Sequence, residues 1–218
     1  MIAENVHRIL DSIPPHVTVL AAAKTRSVEE VREAYQAGIT HFGHNYVQEA
    51  SAVIPVVNAD LHWHMIGHLQ RNKAKIALTL FDRIDSLDSI RLADEIEKHA
   101  ATLDKTIRVM IEVNIGEENA KTGIDPEHAK LLAAHISALP HLRLMGLMTM
   151  GPRFGDPEDS RIYFKKTRQI YDAIGTLNLP GVELKVLSMG MSNDYMVAIQ
   201  EGATLIRLGT AIFGERKT

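Results

Sequence analysis

Cysteine is absent from all 218 residues, which excludes disulfides, thiolate nucleophiles and cysteine-ligated metal. No run of about 18 apolar residues occurs, so no transmembrane helix is expected. No sign of charge dominates either: 24 basic residues stand against 27 acidic ones, a net charge of -3. That balance offers no basic field for nucleic acid and no acidic tail. The first residues, MIAENVHRILDSI, form an amphipathic helical pattern without the basic start and long apolar stretch of a signal peptide. No linker or low-complexity segment interrupts the chain. The expectation is a cytoplasmic protein that binds neither nucleic acid nor membrane.

What is present is alternation. Short β-branched or apolar runs take turns with stretches of helical period. Strands are expected at 17–23, 39–42, 61–66, 83–86, 107–115, 142–148, 183–187 and 204–208. Helices are expected at 27–38, 47–57, 70–80, 89–101, 125–138, 160–177 and 193–201, with a last turn from Ala211 to Phe213. The first of these patterns opens with a capping box, Ser27 and Glu30, and closes at Gly38. Eight β–α units behind an extra N-terminal helix imply parallel strands with helices outside. In about 200 residues that fits an α/β fold, a single (β/α)8 TIM barrel spanning residues 1–218, with an open doubly wound sheet as the alternative.

In such a barrel the site forms where the strands end. The first strand closes in VTVLAAAKT, an apolar run with a lysine, Lys24, at its tip. By itself Lys24 reads as a strand end in water. The loops after strands seven and eight, LSMGMSND and RLGTAIFG, set small and hydroxyl residues before helices, an arrangement that holds phosphate. Each alone reads as an N-cap, by Ser192 or by Thr210. The two together, at the fold's phosphate position, favour a ligand. Beside phosphate, the Lys24 amine has the chemistry to bind an aldehyde cofactor as a Schiff base, with Arg207 as a nearby cation that lowers its pKa. His41, His44, His62, His64 and His68 suggest a metal centre, but no carboxylate stands at a familiar ligand spacing. Hydrogen-bonded polar residues around a barrel mouth are the simpler reading.

The motifs AAAKT, FGHNYVQE, WHMIGHLQRNK, EVNIGEENAKTGI, LMGLMTM, LSMGMSND and IRLGTAIFG occur in one order along the whole chain. In this the sequence resembles the pyridoxal phosphate homeostasis proteins of YggS type, whose fold is similar to the barrel domain of alanine racemase. The resemblance implies pyridoxal 5'-phosphate as cofactor, held by Lys24 as a Schiff base, with Ser188, Ser192, Gly209 and Thr210 at its phosphate. Arg207 would face the pyridine nitrogen, while Asn45, His64 and Met65 would flank the ring. It implies a role in intracellular vitamin B6 homeostasis with little or no turnover, delivery to pyridoxal phosphate-dependent apo-enzymes, and a monomer. The alternative is an amino-acid racemase of fold type III. Two positions depart from the family pattern. His44 stands where glutamate is common, expected beside the site, and His68 stands where proline is common.

Overall fold

The computed structural model describes residues 1–57, 59–116, 122–152 and 155–215. The middle of the EVNIGEENAKTGI motif, residues 117–121, lies outside the described residues. Helix α1 (Ile2–Ser12) is followed by β1 (Thr18–Ala22), α2 (Val28–Gln36), β2 (His41–His44), α3 (Val47–Val57) and β3 (His62–Met65). Then come α4 (Ala74–Leu80), β4 (Arg83–Leu87), α5 (Ile90–Thr102), β5 (Ile107–Glu112), α6 (Ala129–Ser137) and β6 (Leu142–Met148). The chain continues through α7 (Arg161–Gly175), β7 (Val182–Ser188), α8 (Tyr195–Gln200), β8 (Leu205–Leu208) and α9 (Thr210–Phe213). The strands close into a parallel barrel in chain order, with β1 pairing both β2 and β8. Closure excludes the open doubly wound sheet.

The elements arise where local chemistry asks for them. The Ser27 side chain accepts from the Glu30 amide and the Glu30 carboxylate accepts from the Ser27 amide, completing the capping box of α2. Ser89 caps α5 with its side chain alone, accepting from the Leu92 amide. The stretches expected as helix from Gln70 and from Asp125 begin instead with short 3-10 turns, Arg71–Lys73 and Pro126–His128. The fifth strand ends at Glu112, short of the expected Ile115. There the Glu112 carbonyl accepts from Ile124, and Asn114 donates to the Ile124 carbonyl, so a returning segment replaces the neighbouring strand.

Alternation along each strand sorts the side chains into two layers. Val19 and Ala21 of β1, Phe42 of β2, Trp63 and Met65 of β3, Val109 and Ile111 of β5, and Ile206 and Leu208 of β8 join the helices in one apolar cluster. The residues between them therefore face the barrel interior: Leu20 and Ala22, His41 and Gly43, His62 and His64, Met110 and Glu112, Leu205 and Arg207. Helix α1 adds Ile2, Val6 and Ile9 to the apolar cluster. It is also tied to α9 by Asn5 Nδ2, which donates to the Ile212 carbonyl at 3.0 Å.

Gly146 of β6 is required by close approach rather than by backbone angle. A Cβ there would sit 1.7 Å from the Val186 carbonyl oxygen on β7. Backbone does not yield as a flexible side chain does, so the strands would have to part. Gly146→Ala is expected to cost about 3 kcal/mol or more, read as a lower denaturant midpoint with an unchanged m-value.

Candidate functional site

The lower half of the barrel interior is polar. Asp85 of β4 is fully buried and accepts from Arg83 at 2.6 and 3.2 Å. Its Oδ2 also lies 3.0 Å from His64 Nδ1, and His64 Nε2 lies 3.0 Å from His41 Nδ1. Desolvation alone would raise the Asp85 carboxyl, but Arg83 and then His64 outweigh it and hold it well below the usual carboxylate range. An ionised carboxylate only accepts, so His64 carries its proton on Nδ1 and receives one from His41 on Nε2. Burial holds His64 below its ordinary pKa and brings His41 down to about 4, aided by the neighbouring imidazoles. His62 stacks on His41 with ring centroids 4.7 Å apart and is itself exposed. These histidines form a hydrogen-bonded stack, and among the described residues no group of three or more His, Asp or Glu is arranged to hold a metal ion.

Arg207 stands above this floor. It is 5% exposed and donates to the Ser188 carbonyl at 2.9 Å, the Ser188 hydroxyl at 2.6 Å and the Thr149 carbonyl at 2.7 Å. Those three acceptors are all neutral. Burial pulls the guanidinium below its ordinary pKa, while the more distant Glu112, Asp85 and Asp194 push it back up. The result is a fixed cation whose hydrogen bonds involve no carboxylate.

The two hydroxyl loops meet at this end. Ser192 does not cap its own helix; its Oγ accepts from the Gly209 amide at 3.3 Å and the Ala211 amide at 3.2 Å, at the start of α9. Thr210 is the exposed first residue of α9 and caps nothing, so the N-cap reading fails for both residues. The Ser192 loop is shaped by Asp194, which is 2% exposed. Asp194 accepts from the Met191 amide at 2.7 Å and from the Ser160 hydroxyl at 2.7 Å. Gly190 turns the loop at a φ of 90°, with the Tyr195 Cα 2.8 Å from where a Cβ would be. Asp194 and Ser160 were not anticipated; the SND triplet before α8 was the available signal for Asp194.

Lys24 follows β1 on the inward-facing register of Leu20 and Ala22 and is half-buried. It sits in a tight turn closed by the Arg26 amide donating to the Ala23 carbonyl at 3.1 Å. Thr25 in that turn has a φ of 62°, which costs a β-branched residue of order 1 kcal/mol or more and marks a constrained spot. Arg26 secures it by donating to the Gly214 carbonyl at 2.8 Å and by lying 5.1 Å over the Phe213 ring. Gly209 in turn lies against the end of β1, where a Cβ would be 3.8 Å from that of Ala22. The lysine turn and the Ser192–Gly209 loops are thus neighbours, held by a residue, Arg26, that composition did not single out.

The remaining expected residues divide. Asn45 follows β2 half-buried, with its backbone packed against Gly67, where a Cβ would come within 2.4 Å of the Asn45 carbonyl. His64 faces the interior, but its ring belongs to the Asp85 stack. Met65 faces the helices in the apolar layer, away from the interior. His44 is corrected too. It shares the outward register of Phe42 and stacks on Trp63 at 5.6 Å, so it lies behind the strand instead of beside the site. Both its ring nitrogens lack partners, and burial holds its pKa at about 4. His68 is exposed on the loop after β3 and pairs with Asp88 at 3.1 Å. Two surface grooves, one bounded by Ile90, Ile124 and Leu131, the other by Ile54, Leu61 and Trp63, include none of the interior-facing side chains.

A closed parallel barrel with a lysine turn, a buried arginine and paired hydroxyl loops at the strand ends defines a class. The model of the family described as the alanine racemase N-terminal domain matches residues 1–217. Within that class the chain belongs to the pyridoxal phosphate homeostasis protein family. It is 44% identical over 200 residues to the Aquifex aeolicus protein of that name, covering 91% of this chain and 87% of the relative. The structure of PipY from Synechococcus elongatus PCC7942 without PLP superposes with a TM-score of 0.92 at 36% identity, covering 98% of this chain and all of that one. A second PipY structure, with PLP bound, gives a TM-score of 0.90 at 35% identity over the same shares. An alanine racemase from Clostridium difficile 630 shares the fold, with a TM-score of 0.82 at 15% identity over 57% of its length.

His44 is one of the buried groups, with His41, that make stability respond to acid. Its folded pKa of about 4 lies below the 6.5 of an exposed histidine, so the unfolded chain binds the extra proton first. The contribution of His44 to stability is full above pH 6.5 and is lost as pH falls towards 4, by roughly 3 kcal/mol. His44→Phe, which keeps the stack on Trp63, is expected to raise the melting temperature more at pH 5 than at pH 7.5.

Proposed function

We propose that this protein holds pyridoxal 5'-phosphate covalently on the Lys24 amine and takes part in intracellular vitamin B6 homeostasis, with little or no turnover. The observation that carries the reading is Arg207, a buried cation that among the described residues hydrogen-bonds neutral groups alone, at the end of the barrel where Lys24 and the hydroxyl loops converge. A buried cation whose hydrogen bonds all go to neutral groups, with Glu112, Asp85 and Asp194 acting on it only from further away, favours an anionic or electron-rich ligand. The donor set fits the cofactor. Amides of Gly209 and Ala211 and the hydroxyls of Ser192 and Thr210 suit a phosphate, and Asn45 lies at the same end. A relative named pyridoxal phosphate homeostasis protein and a neighbour solved with PLP bound support the choice.

Bound pyridoxal phosphate supplies a reactive aldehyde conjugated to a pyridine ring. Lys24 would anchor that aldehyde, its placement limited by the Thr25 turn and the Arg26 clamp. Arg207 donates hydrogen bonds and keeps its own proton, so a ring nitrogen facing it stays unprotonated and withdraws electrons weakly. That favours holding the cofactor over reacting it. The reading extends to a cytoplasmic monomer that passes pyridoxal phosphate to apo-enzymes.

Titration with pyridoxal phosphate is expected to give a visible absorbance band in the wild type that is lost in Lys24→Ala. Arg207→Ala, which leaves the Ser188 and Thr149 groups unpaired, is expected to weaken binding by roughly ten-fold or more. A band unchanged in Lys24→Ala would refute the anchor. Racemisation of an amino acid well above that of free pyridoxal phosphate, and abolished in Lys24→Ala, would replace the carrier by a fold-type III racemase.

A further inference from the structure

Glu112 ends β5 on the interior-facing register, between the outward-facing Ile111 and Val113. It is 2% exposed. Its Oε1 accepts from the Thr122 hydroxyl at 2.8 Å, while Oε2 is buried with no hydrogen-bond partner among the described residues. An unpartnered carboxylate oxygen is costly in such a place unless something comes to meet it. Among the described residues, charged groups act on it from Arg207 on β8 and from His68 and Asp88 on the loops after β3 and β4. Burial raises its pKa, and the Thr122 hydroxyl and Arg207 oppose that rise. Arg207 does not hydrogen-bond Glu112, so the two share the interior end of the barrel as separate groups.

We infer that Glu112 is a ligand-binding acid: when an anionic molecule enters the barrel mouth, Glu112 takes up one proton on Oε2 and donates it as a hydrogen bond to an acceptor atom of that molecule. The proton comes from solvent; an O–H bond forms on Oε2 and no bond of the chain breaks. The cause is electrostatic. With the mouth empty, an ionised Glu112 offsets Arg207. An arriving anion brings a second negative charge to the same low-dielectric space, and like charge favours the neutral carboxyl. The neutral form then turns the orphaned acceptor into a donor facing a new acceptor. Thr122 selects which oxygen does this, because its hydroxyl already occupies Oε1.

The inference rests on the pyridoxal phosphate reading, and its test keeps the two apart. Calorimetric titration of the protein with pyridoxal phosphate, in buffers of differing ionisation enthalpy, counts the protons taken up on binding across roughly pH 5 to 9. Glu112→Gln retains a donor but cannot titrate. It is expected to bind within a few-fold of wild type while its uptake falls by up to about one proton at the wild-type maximum. Glu112→Ala is expected to bind roughly ten-fold or more weakly. Thr122→Val removes the hydroxyl that favours the ionised form, so the uptake maximum should move to higher pH without loss of fold. Binding by Glu112→Gln with an undiminished proton count, or a Thr122→Val profile that does not move, overturns the role of Glu112 alone. Failure of the wild type to bind pyridoxal phosphate overturns the carrier reading, and this inference with it.

Discussion

A carboxylate with no exposure sits near the middle of the barrel, and much of the architecture follows from how it is satisfied. Asp85 cannot stay ionised inside a low-dielectric tube without partners. Arg83, two residues earlier on the same strand, supplies a cation, and His64 on the adjacent strand supplies a neutral donor. That pairing fixes the His64 tautomer, which in turn fixes the proton on His41. The lower interior is therefore filled by one oriented polar network, where such barrels commonly stack branched apolar layers. Removing one partner would strand a buried charge, so the network favours a single arrangement even if its net stabilisation is small.

On this floor the functional end is assembled from groups with different electrostatic debts. Arg207 is buried against neutral acceptors, Glu112 keeps one oxygen without a partner, and two amides at the start of α9 are met by a single hydroxyl, Ser192. Arg207 and Glu112 keep bonding capacity that an anionic molecule can meet, while the two amides already share the neutral Ser192 hydroxyl. The scaffold around them is comparatively over-determined: Asp194 is tied to two partners, Gly190 has no room for a side chain, and Arg26 is clamped onto the end of α9. Rigid supports behind under-satisfied groups are what preorganised binding requires.

Period and turn chemistry were legible at the level of elements. The eight strands and their helices appear where the alternation places them, and the capping box at Ser27 forms as its residues imply. The departures have local causes. The β5 strand stops at Glu112 because the segment at Ile124 takes its backbone partners, and the start of α8 is delayed to Tyr195 because Asp194 spends its side chain on Met191. Site residues were legible as loops and less so as faces. Ser192 stood out in its loop, yet its partners lie on the next β–α unit, 17 and 19 positions away. The family resemblance set Met65 beside the ring and His44 beside the site, but strand alternation turns both towards the helices.

By itself the amino-acid sequence determined the order and type of the elements, the barrel class, and the family through its ordered motifs. Those signals are local, or are carried by short runs of residue identity. Only the tertiary structure decided which side of each strand faces the interior, since closure and register set the inward face. It alone brought Asp85 to His64 and Arg83, set Arg207 among neutral acceptors, and left one oxygen of Glu112 unpaired. Burial and charge balance depend on neighbours distant in the chain, so no reading of Glu112 within its own segment could have revealed its state.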